Sequence, residues 1–447
     1  MINTLKRFKG GIKASHHKKT SEFETVRMPL PSRVVIPMLQ HIGAPCTPLV
    51  KKGDSVLVGQ KIGDSDSIVS APVHSSVSGV VTDVRPILYP GGFEVVSAEI
   101  EPDGQQKPDD SVVPVNDTGR ESVIKKIRES GIVGLGGAGF PTSVKLSPPP
   151  GQKLDTLIIN GAECEPYITS DYREMMENSR RVLEGARILM ELTQIPEAYI
   201  GIEANKPKAI QRLSEFAAEF EGIKVVSLPA RYPQGGEKQL IYAVTGRKVP
   251  AGGLPSYIGV LVHNVNTVSN IAAYISTGMP LIKKRVTVEG SAVAKPMNLE
   301  VLIGTSLKDV FEFCGGFKEK PAKIIMGGPM MGVAQFSLDN SVVKHTNALL
   351  AFTEKEAHTA PEGVCIRCGK CVSACPMGLL PLYISANVEL GRVEETVKYH
   401  LNNCMECGCC SYVCPASRYL VQSIRYAKAE LKRRQTLKRE GAIKNGV

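Results

Sequence analysis

The chain has 447 residues, 43% hydrophobic and 22% charged, and carries a net charge of +10. These values exclude a disordered chain and exceed what one ordinary core holds, so three or four domains are expected. No apolar run approaches the ~18 residues of a membrane-spanning helix, and the basic start, MINTLKRFKGGIKASHHKKT, lacks the apolar stretch of a secretory signal.

The charge is unevenly placed. Residues 1–20 carry Lys6, Arg7, Lys9, Lys13, Lys18 and Lys19 and no acid, and residues 418–447 carry nine Lys or Arg against two Glu. The body between is slightly acidic. Basic ends suit an anionic membrane surface, an acidic partner or nucleic acid, or they are plain solvated tails.

Residues 31–100 read as short strands broken by Gly and Pro. PLVKKGDSVLVGQKIG (48–63) and IVSAPVHSSVSGVVTDV (68–84) resemble the two halves of a biotinyl/lipoyl β-sandwich. The carrier lysine of that family would lie in the hairpin before Ala71-Pro72. Asp64, Ser65, Asp66 and Ser67 stand there instead. With no amine there is no swinging arm, and the module reads as structural. A polar, Pro-rich linker follows (101–119).

Thr118 and Glu121 have capping-box spacing, Val123, Ile124 and Ile127 share one face, and Gly131 is placed as a C-terminal cap. After a glycine-rich loop come a strand (155–160), a helix through REMMENSRRVLEGARILMEL and a strand (198–203). A helix opened by Asn205, with Pro207 in its first turn, and a strand (223–228) follow. This alternation predicts a parallel sheet with covering helices. Residues 284–316 read as two strands, a turn and a helix from near Ser306, and are similar to a β-grasp module of the soluble-ligand-binding type. Residues 338–362 read as a loose connection.

Eight of twelve cysteines fall in two runs, Cys365-x2-Cys368-x2-Cys371-x3-Cys375-Pro376 and Cys404-x2-Cys407-x2-Cys410-x3-Cys414-Pro415. That distribution favours metal ligation in a reducing compartment over disulfides. Three thiolates on a tight loop reach three corners of a cubane, and the fourth, turned away by the proline, ligates the other cluster. One [4Fe–4S] cluster is therefore expected on Cys365, Cys368, Cys371 and Cys414, and a second on Cys404, Cys407, Cys410 and Cys375. Structural zinc wants two separated ligand pairs and does not explain two such runs. The long stretch 376–403 predicts a helical variant of the two-cluster fold, with a basic amphipathic helix after it. Cys46, Cys164 and Cys314 read as small buried residues, Cys409 as a neighbour of a ligand, and His41, His74, His263 and His345 as ordinary polar or packed histidines.

The loop Gly134-Leu135-Gly136-Gly137-Ala138-Gly139 fits G-x-G-x-x-G by letter. It follows a helix and precedes a strand, the reverse of the Rossmann order, so the Rossmann fingerprint is rejected. Four glycines in six residues nevertheless let backbone N–H groups approach something flat or anionic.

GLGGAGFPTSVKL (134–146) is similar to the flavin loop of the NADH-oxidising, FMN-bearing subunit of respiratory complex I. INGAECEPYITSDYREM (159–175), QGGEKQLIYAVTGRKVPAGG (234–253) and VHNVNTVSNI (262–271) resemble three further motifs of that family, in the same order. The resemblance implies that Gly134, Gly136, Gly137, Gly139 and Phe140 line flavin and nicotinamide and that Lys145 offsets the FMN phosphate. It implies flavin contacts from Asn160, Glu163, Asn264 and Thr267, with Glu165 and the Gly236-Glu237 helix start facing the dinucleotide. Ala162, Cys164 and Lys238 depart from that family, which usually has Asp, Ser and Glu there.

The domain order resembles the RnfC family, found in the membrane-associated Rnf complex, a ferredoxin:NAD+ oxidoreductase that moves Na+ or H+. FKGG (residues 8–11) is also similar to that family's opening, although Lys13-Ala14 replaces its His-Pro. The expected division is a basic segment (1–30), a barrel-sandwich hybrid (31–115), an FMN/NADH-binding α/β domain (116–280), a β-grasp module (281–337), a two-cluster domain (338–420) and a basic helix or tail (421–447). The overall class is multidomain α/β and α+β. The resemblance implies NAD(H), FMN and two [4Fe–4S] clusters as cofactors, and integral membrane subunits and a ferredoxin-type subunit as partners. It implies a membrane surface rather than nucleic acid for the basic ends, and a peripheral place on the cytoplasmic face of the inner membrane. A corrin- or quinone-reducing relative and a non-catalytic iron–sulfur scaffold are the alternatives.

Overall fold

The computed structural model describes residues 6–89, 92–149 and 151–444; the first five residues of the basic start and the last three of the basic tail lie outside them. The chain forms two compact units. One comprises His16–Pro229 and Pro255–Ala357, the other Met1–Ser15, Ala230–Leu254 and His358–Val447.

The larger unit begins with the expected sandwich. Its four-stranded sheet orders Val34–Pro37, Phe93–Pro102, Gly79–Tyr89 and Ser55–Val56, and its three-stranded sheet orders Thr47–Pro48, Lys61–Asp64 and Val73–His74. Alternate residues (Val34, Ile36, Ile62, Val73, Val81, Ala98, Ile100) form its core. At the carrier position, Asp64 is held by Arg128 at 2.8 Å and Lys61 at 2.9 Å. These hydrogen bonds outweigh its partial burial and lower its carboxyl to about 2.

The second sheet is parallel, in the order Ile223–Leu228, Ala198–Glu203, Thr156–Gly161, Val260–Asn264. The chain works outward from the Thr156–Gly161 strand on one side and then returns to add Val260–Asn264 on the other. The order reverses between those two strands, which makes a topological switch point. The helix expected through residues 173–192 is two helices, Ser170–Glu177 and Ser179–Thr193, broken at Asn178 (φ −126°, ψ 35°). The helix Pro207–Ala217 is preceded by Lys206 rather than Asn205 as its cap residue. Lys206 instead aims its ammonium at Glu203 Oε2, 2.9 Å away.

The third sheet has six strands, Thr25–Arg27, Met297–Leu302, Lys283–Glu289, Ala348–Phe352, Lys323–Met326 and Val333–Ala334. The helix Leu307–Phe313 covers it, and Ser306 caps that helix by accepting the Asp309 N–H at 3.0 Å. Two expectations are corrected here. Residues 338–362 are not a loose connection, because Ala348–Phe352 is a fully buried strand inside this sheet. It is apolar throughout, and a strand buried on both faces shows no alternation to read. Nor is the basic segment 1–30 a solvated tail throughout, since Thr25–Arg27 pairs with Met297–Leu302.

An ion network ties the Ser170–Glu177 helix to this sheet. Glu174 bonds Arg285 at 2.9 Å and Arg181 at 3.0 Å, with its side chain 3% exposed. The two guanidiniums outweigh its burial and bring its carboxyl down from 4.5 to about 2. A carboxyl lowered on folding stabilises above its unfolded value, and that stability is lost as pH falls through its folded value. Glu174 therefore contributes about 3 kcal/mol that disappears between about pH 4.5 and pH 2. Urea unfolding at pH 7 and pH 3 should show a smaller pH-dependent loss for Glu174→Gln than for the native chain; an equal loss refutes this.

The smaller unit is helical around the cysteine runs: Lys370–Ala374, Pro381–Glu389, Cys409–Tyr412 and the long Leu420–Lys444. The N-terminal stretch of chain is built into it. Gly11 N–H donates to Ala374 O at 2.8 Å, and Ile12 and Tyr232 exchange backbone bonds at 2.8 and 3.0 Å. Phe8 is buried beneath the Arg231 guanidinium, 5.6 Å from its ring. At Gly10 (φ +73°) a Cβ would lie 2.5 Å from Cys375 O, so only glycine allows this approach.

Candidate functional site

The glycine loop lies in the larger unit. Its ends close on each other, with Gly134 N–H donating to Phe140 O at 2.8 Å and Gly139 N–H to Gly134 O at 3.1 Å. The tip, Gly136–Ala138, is exposed. A Cβ at Gly137 (φ +137°) would meet nothing within 4 Å, so backbone is offered there to whatever approaches. Thr267, fully buried, fixes the loop by accepting the Leu135 N–H at 3.0 Å.

Two asparagines face this region from the carboxyl ends of neighbouring strands. Asn160 and Asn264 are register partners on the two strands that flank the switch point. Asn264 Oδ1 caps the next helix at Asn266 N–H (2.9 Å), and its side chain lies 3.0 Å from the Cβ position of Gly136. Asn160 Oδ1 accepts the Ala162 N–H at 3.1 Å. Lys145 Nζ reaches Val262 O at 3.2 Å, beside buried His263, whose imidazole is pushed down to about 3 by burial and by that lysine. A backbone cradle, two amides and a cation at a switch-point crevice fit a planar, phosphorylated ligand.

The acidic pair is placed differently from a simple ligand wall. Glu163 is buried, and its carboxylate accepts the N–H groups of Asp171 (2.7 Å) and Tyr172 (3.3 Å), the first turn of the Ser170–Glu177 helix. Burial pushes its carboxyl up to about 7, against the pull of Lys18. Glu165 accepts from Met330 N–H at 3.1 Å and Met331 N–H at 2.9 Å in the Gly-Gly-Pro-Met-Met-Gly loop of the third sheet.

No motif marks Lys18. Its ammonium donates to the carbonyls of Glu163 (3.0 Å), Glu165 (2.8 Å) and Ile168 (2.5 Å), so the acidic segment is wrapped around one cation. Lys206 adds a second, 3.1 Å from Glu163 O. A lysine inside a charge run carries no sequence signal for such a position. Asp171 is equally unmarked: it is buried and accepts from Asn264 Nδ2 at 2.7 Å and Asn266 Nδ2 at 2.6 Å.

Gly236 and Glu237 belong to the smaller unit, where they open the helix Glu237–Thr245. A Cβ at Gly236 would lie 2.6 Å from Met405, inside the second cysteine run. In this unit Cys375, Cys404, Cys407, Cys409 and Cys410 line one pocket with Pro376, Met405 and Ile424. Burial first, and then the neighbouring thiols, raise the thiols of Cys404 to about 11 and of Cys410 to about 12. Such mutual destabilisation of thiolates is what bound iron reverses. Leu379 N–H points at Cys375 Sγ (3.4 Å) and Glu406 N–H at Cys404 Sγ (3.3 Å), the amide–sulfur bonds that stabilise thiolate ligands. Among the described residues no three such side chains close in tightly enough for a single metal ion. The donor set, spread around a cavity, fits a cubane. In the other set Cys371 and Cys414 are electrostatic neighbours, while Cys365 and Cys368 are exposed. Cys409 is buried against Cys407. Cys46 and Cys314 are buried as expected; Cys164 is only half-buried.

Comparison with known proteins follows the same division. An RnfC barrel sandwich hybrid domain matches residues 6–105, a Nuo51 FMN-binding domain 127–273, an SLBB domain 285–334 and a 4Fe-4S dicluster domain 364–417. The RnfC protein of the proton-translocating ferredoxin:NAD(+) oxidoreductase complex of Clostridium ljungdahlii is 46% identical over 95% of this chain and 94% of its own. The chain belongs to the RnfC family of ion-translocating ferredoxin:NAD(+) oxidoreductase complexes. The RnfC protein of the Na(+)-translocating complex of Acetobacterium woodii is 44% identical over 95% of this chain and 97% of its own. That of the ion-translocating oxidoreductase complex of Rhodobacter capsulatus is 41% identical over 97% and 84%. Like these RnfC proteins, the chain is one redox subunit among several in a larger assembly, with an FMN-binding domain and a two-cluster domain. Among the described residues no helix is long and apolar enough to cross a membrane.

Proposed function

We propose that the chain passes electrons between NAD(H) and a one-electron partner, with FMN on the glycine loop and the two cysteine sets as the stations. FMN supplies the exchange between two-electron and one-electron chemistry, and the clusters supply one-electron transfer. The loop tip Gly136–Ala138 gives backbone against the ring, Asn160 and Asn264 orient its polar edge, and Lys145 offsets the phosphate. Glu163, Lys18 and Lys206 hold the acidic segment in shape rather than touching the ring, and Glu165 keeps the third sheet's loop beside that segment. Glu237 is assigned to the dinucleotide on the resemblance alone. Ion movement falls to membrane partner subunits, and a ferredoxin-type subunit is the electron partner. The exposed Lys6, Arg7, Lys9 and Lys13 and the Leu420–Lys444 helix suit an anionic surface on the cytoplasmic face, whereas Lys18 is engaged internally.

The observation that carries this reading is the meeting of the glycine tip, Asn160 and Asn264 at the switch point, in a chain with two four-thiol sets. Titrating the FMN- and cluster-loaded protein with NADH should bleach the flavin absorbance and bring up the EPR signals of both clusters. Intact clusters with no flavin bleaching overturn it and leave a scaffold.

A further inference from the structure

Lys284 enters the flavin domain from outside it. It sits on the Lys283–Glu289 strand of the third sheet, yet its side chain is buried and its Nζ reaches Leu135 O, in the glycine loop, at 3.4 Å. An ammonium has three donors, and among the described residues this long bond is its one hydrogen bond. The acid that acts on it most strongly, Asp171, accepts one amide hydrogen bond on each oxygen, from Asn264 and Asn266. Glu174, Arg285 and Glu163 also act on it, and His345 lies within its field. Burial lowers the ammonium to about 8, so it stays a cation at pH 7.

Both members of this pair reach the loop at successive residues. Lys284 meets Leu135 directly, and Asp171 acts through Asn264, which abuts Gly136. A buried cation with one long hydrogen bond projects its field into its surroundings, offset in part by the carboxylate of Asp171. Uptake of two electrons and one proton adds one negative charge to a flavin. A fixed cation nearby therefore favours the reduced form over the oxidised one.

The geometry points to Lys284, supplied by the β-grasp sheet, as the positioning cation that tunes the potential and affinity of FMN on the glycine loop, with Asp171 as its opposing charge. This rests on the proposed placement of FMN at that loop.

The test is FMN binding by fluorescence quenching, and the flavin midpoint potential by spectroelectrochemistry at pH 7, on full-length protein. Lys284→Met should weaken binding of reduced FMN relative to oxidised FMN about tenfold, which lowers the two-electron midpoint by about 30 mV. Lys284→Arg should recover most of the shift, and Asp171→Asn should move the midpoint upward. Cluster EPR should not change in any variant. Midpoints of Lys284→Met and Asp171→Asn both equal to that of the native chain overturn the proposal while leaving the flavin site standing. If Lys284→Met does not fold, an unshifted Asp171→Asn midpoint overturns it alone. A native chain that binds no FMN overturns both this proposal and the flavin site itself.

Discussion

Replacing Cys375 with serine should destroy the cluster built on the other cysteine run and spare the one held by its own. Cys375 ends the first run, yet its thiol lines the same cavity as Cys404, Cys407 and Cys410. A serine hydroxyl is a poor ligand for iron, and a cubane missing one thiolate is lost or reduced to a labile form. Iron per chain should fall from about eight to about four, and the surviving EPR signal should be the one abolished by Cys371→Ser. If Cys375→Ser and Cys371→Ser remove the same signal, the crossed ligation is wrong.

Glu163→Ala should cost the larger unit about 3–5 kcal/mol, a fall in Tm on the order of 10 °C. The carboxylate satisfies two N–H groups at a helix start and lies 3.9 Å from the Lys18 ammonium. Removing it leaves the Asp171 and Tyr172 N–H groups without their buried acceptor, while Lys18 keeps its three carbonyls. Glu163→Gln keeps an acceptor for the helix and should lose less. The melts are run without FMN, which separates this role from a flavin contact. Unchanged melting of the flavin-free Glu163→Ala protein would mean that the residue acts only through the ligand.

What the sequence discloses here depends on whether a feature repeats locally. Two cysteine runs with one spacing point to a dicluster domain, because the metal chemistry demands that spacing. The missing carrier lysine is equally plain, since one residue at one hairpin decides it. The parallel sheet follows from helices and strands that alternate, and Ser306 from a cap beside its own helix. Lys18, Asp171, Lys206 and Lys284 escape, because no spacing marks them and each makes contacts with residues distant in the chain. The basic start shows the difficulty: five of its six cations are exposed, and one is built into the acidic segment. Ala348–Phe352 escapes for the opposite reason, as a strand too uniformly apolar to show a period. The reversed order around the glycine loop correctly removes the Rossmann fingerprint. It does not disclose that the loop would still meet a switch point, because that depends on the late strand Val260–Asn264 pairing with Thr156–Gly161.

The smaller unit is assembled from three stretches of chain, Met1–Ser15, Ala230–Leu254 and His358–Val447, with Gly10 and Gly11 seated against Ala374 and Cys375. The consequence is temporal. On the ribosome the N-terminal stretch emerges first, but its seat is translated near the end. The larger unit can begin to collapse while residues 6–15 wait unpaired. Gly10 and Gly11 can take their seat only once Ala374 and Cys375 have been made.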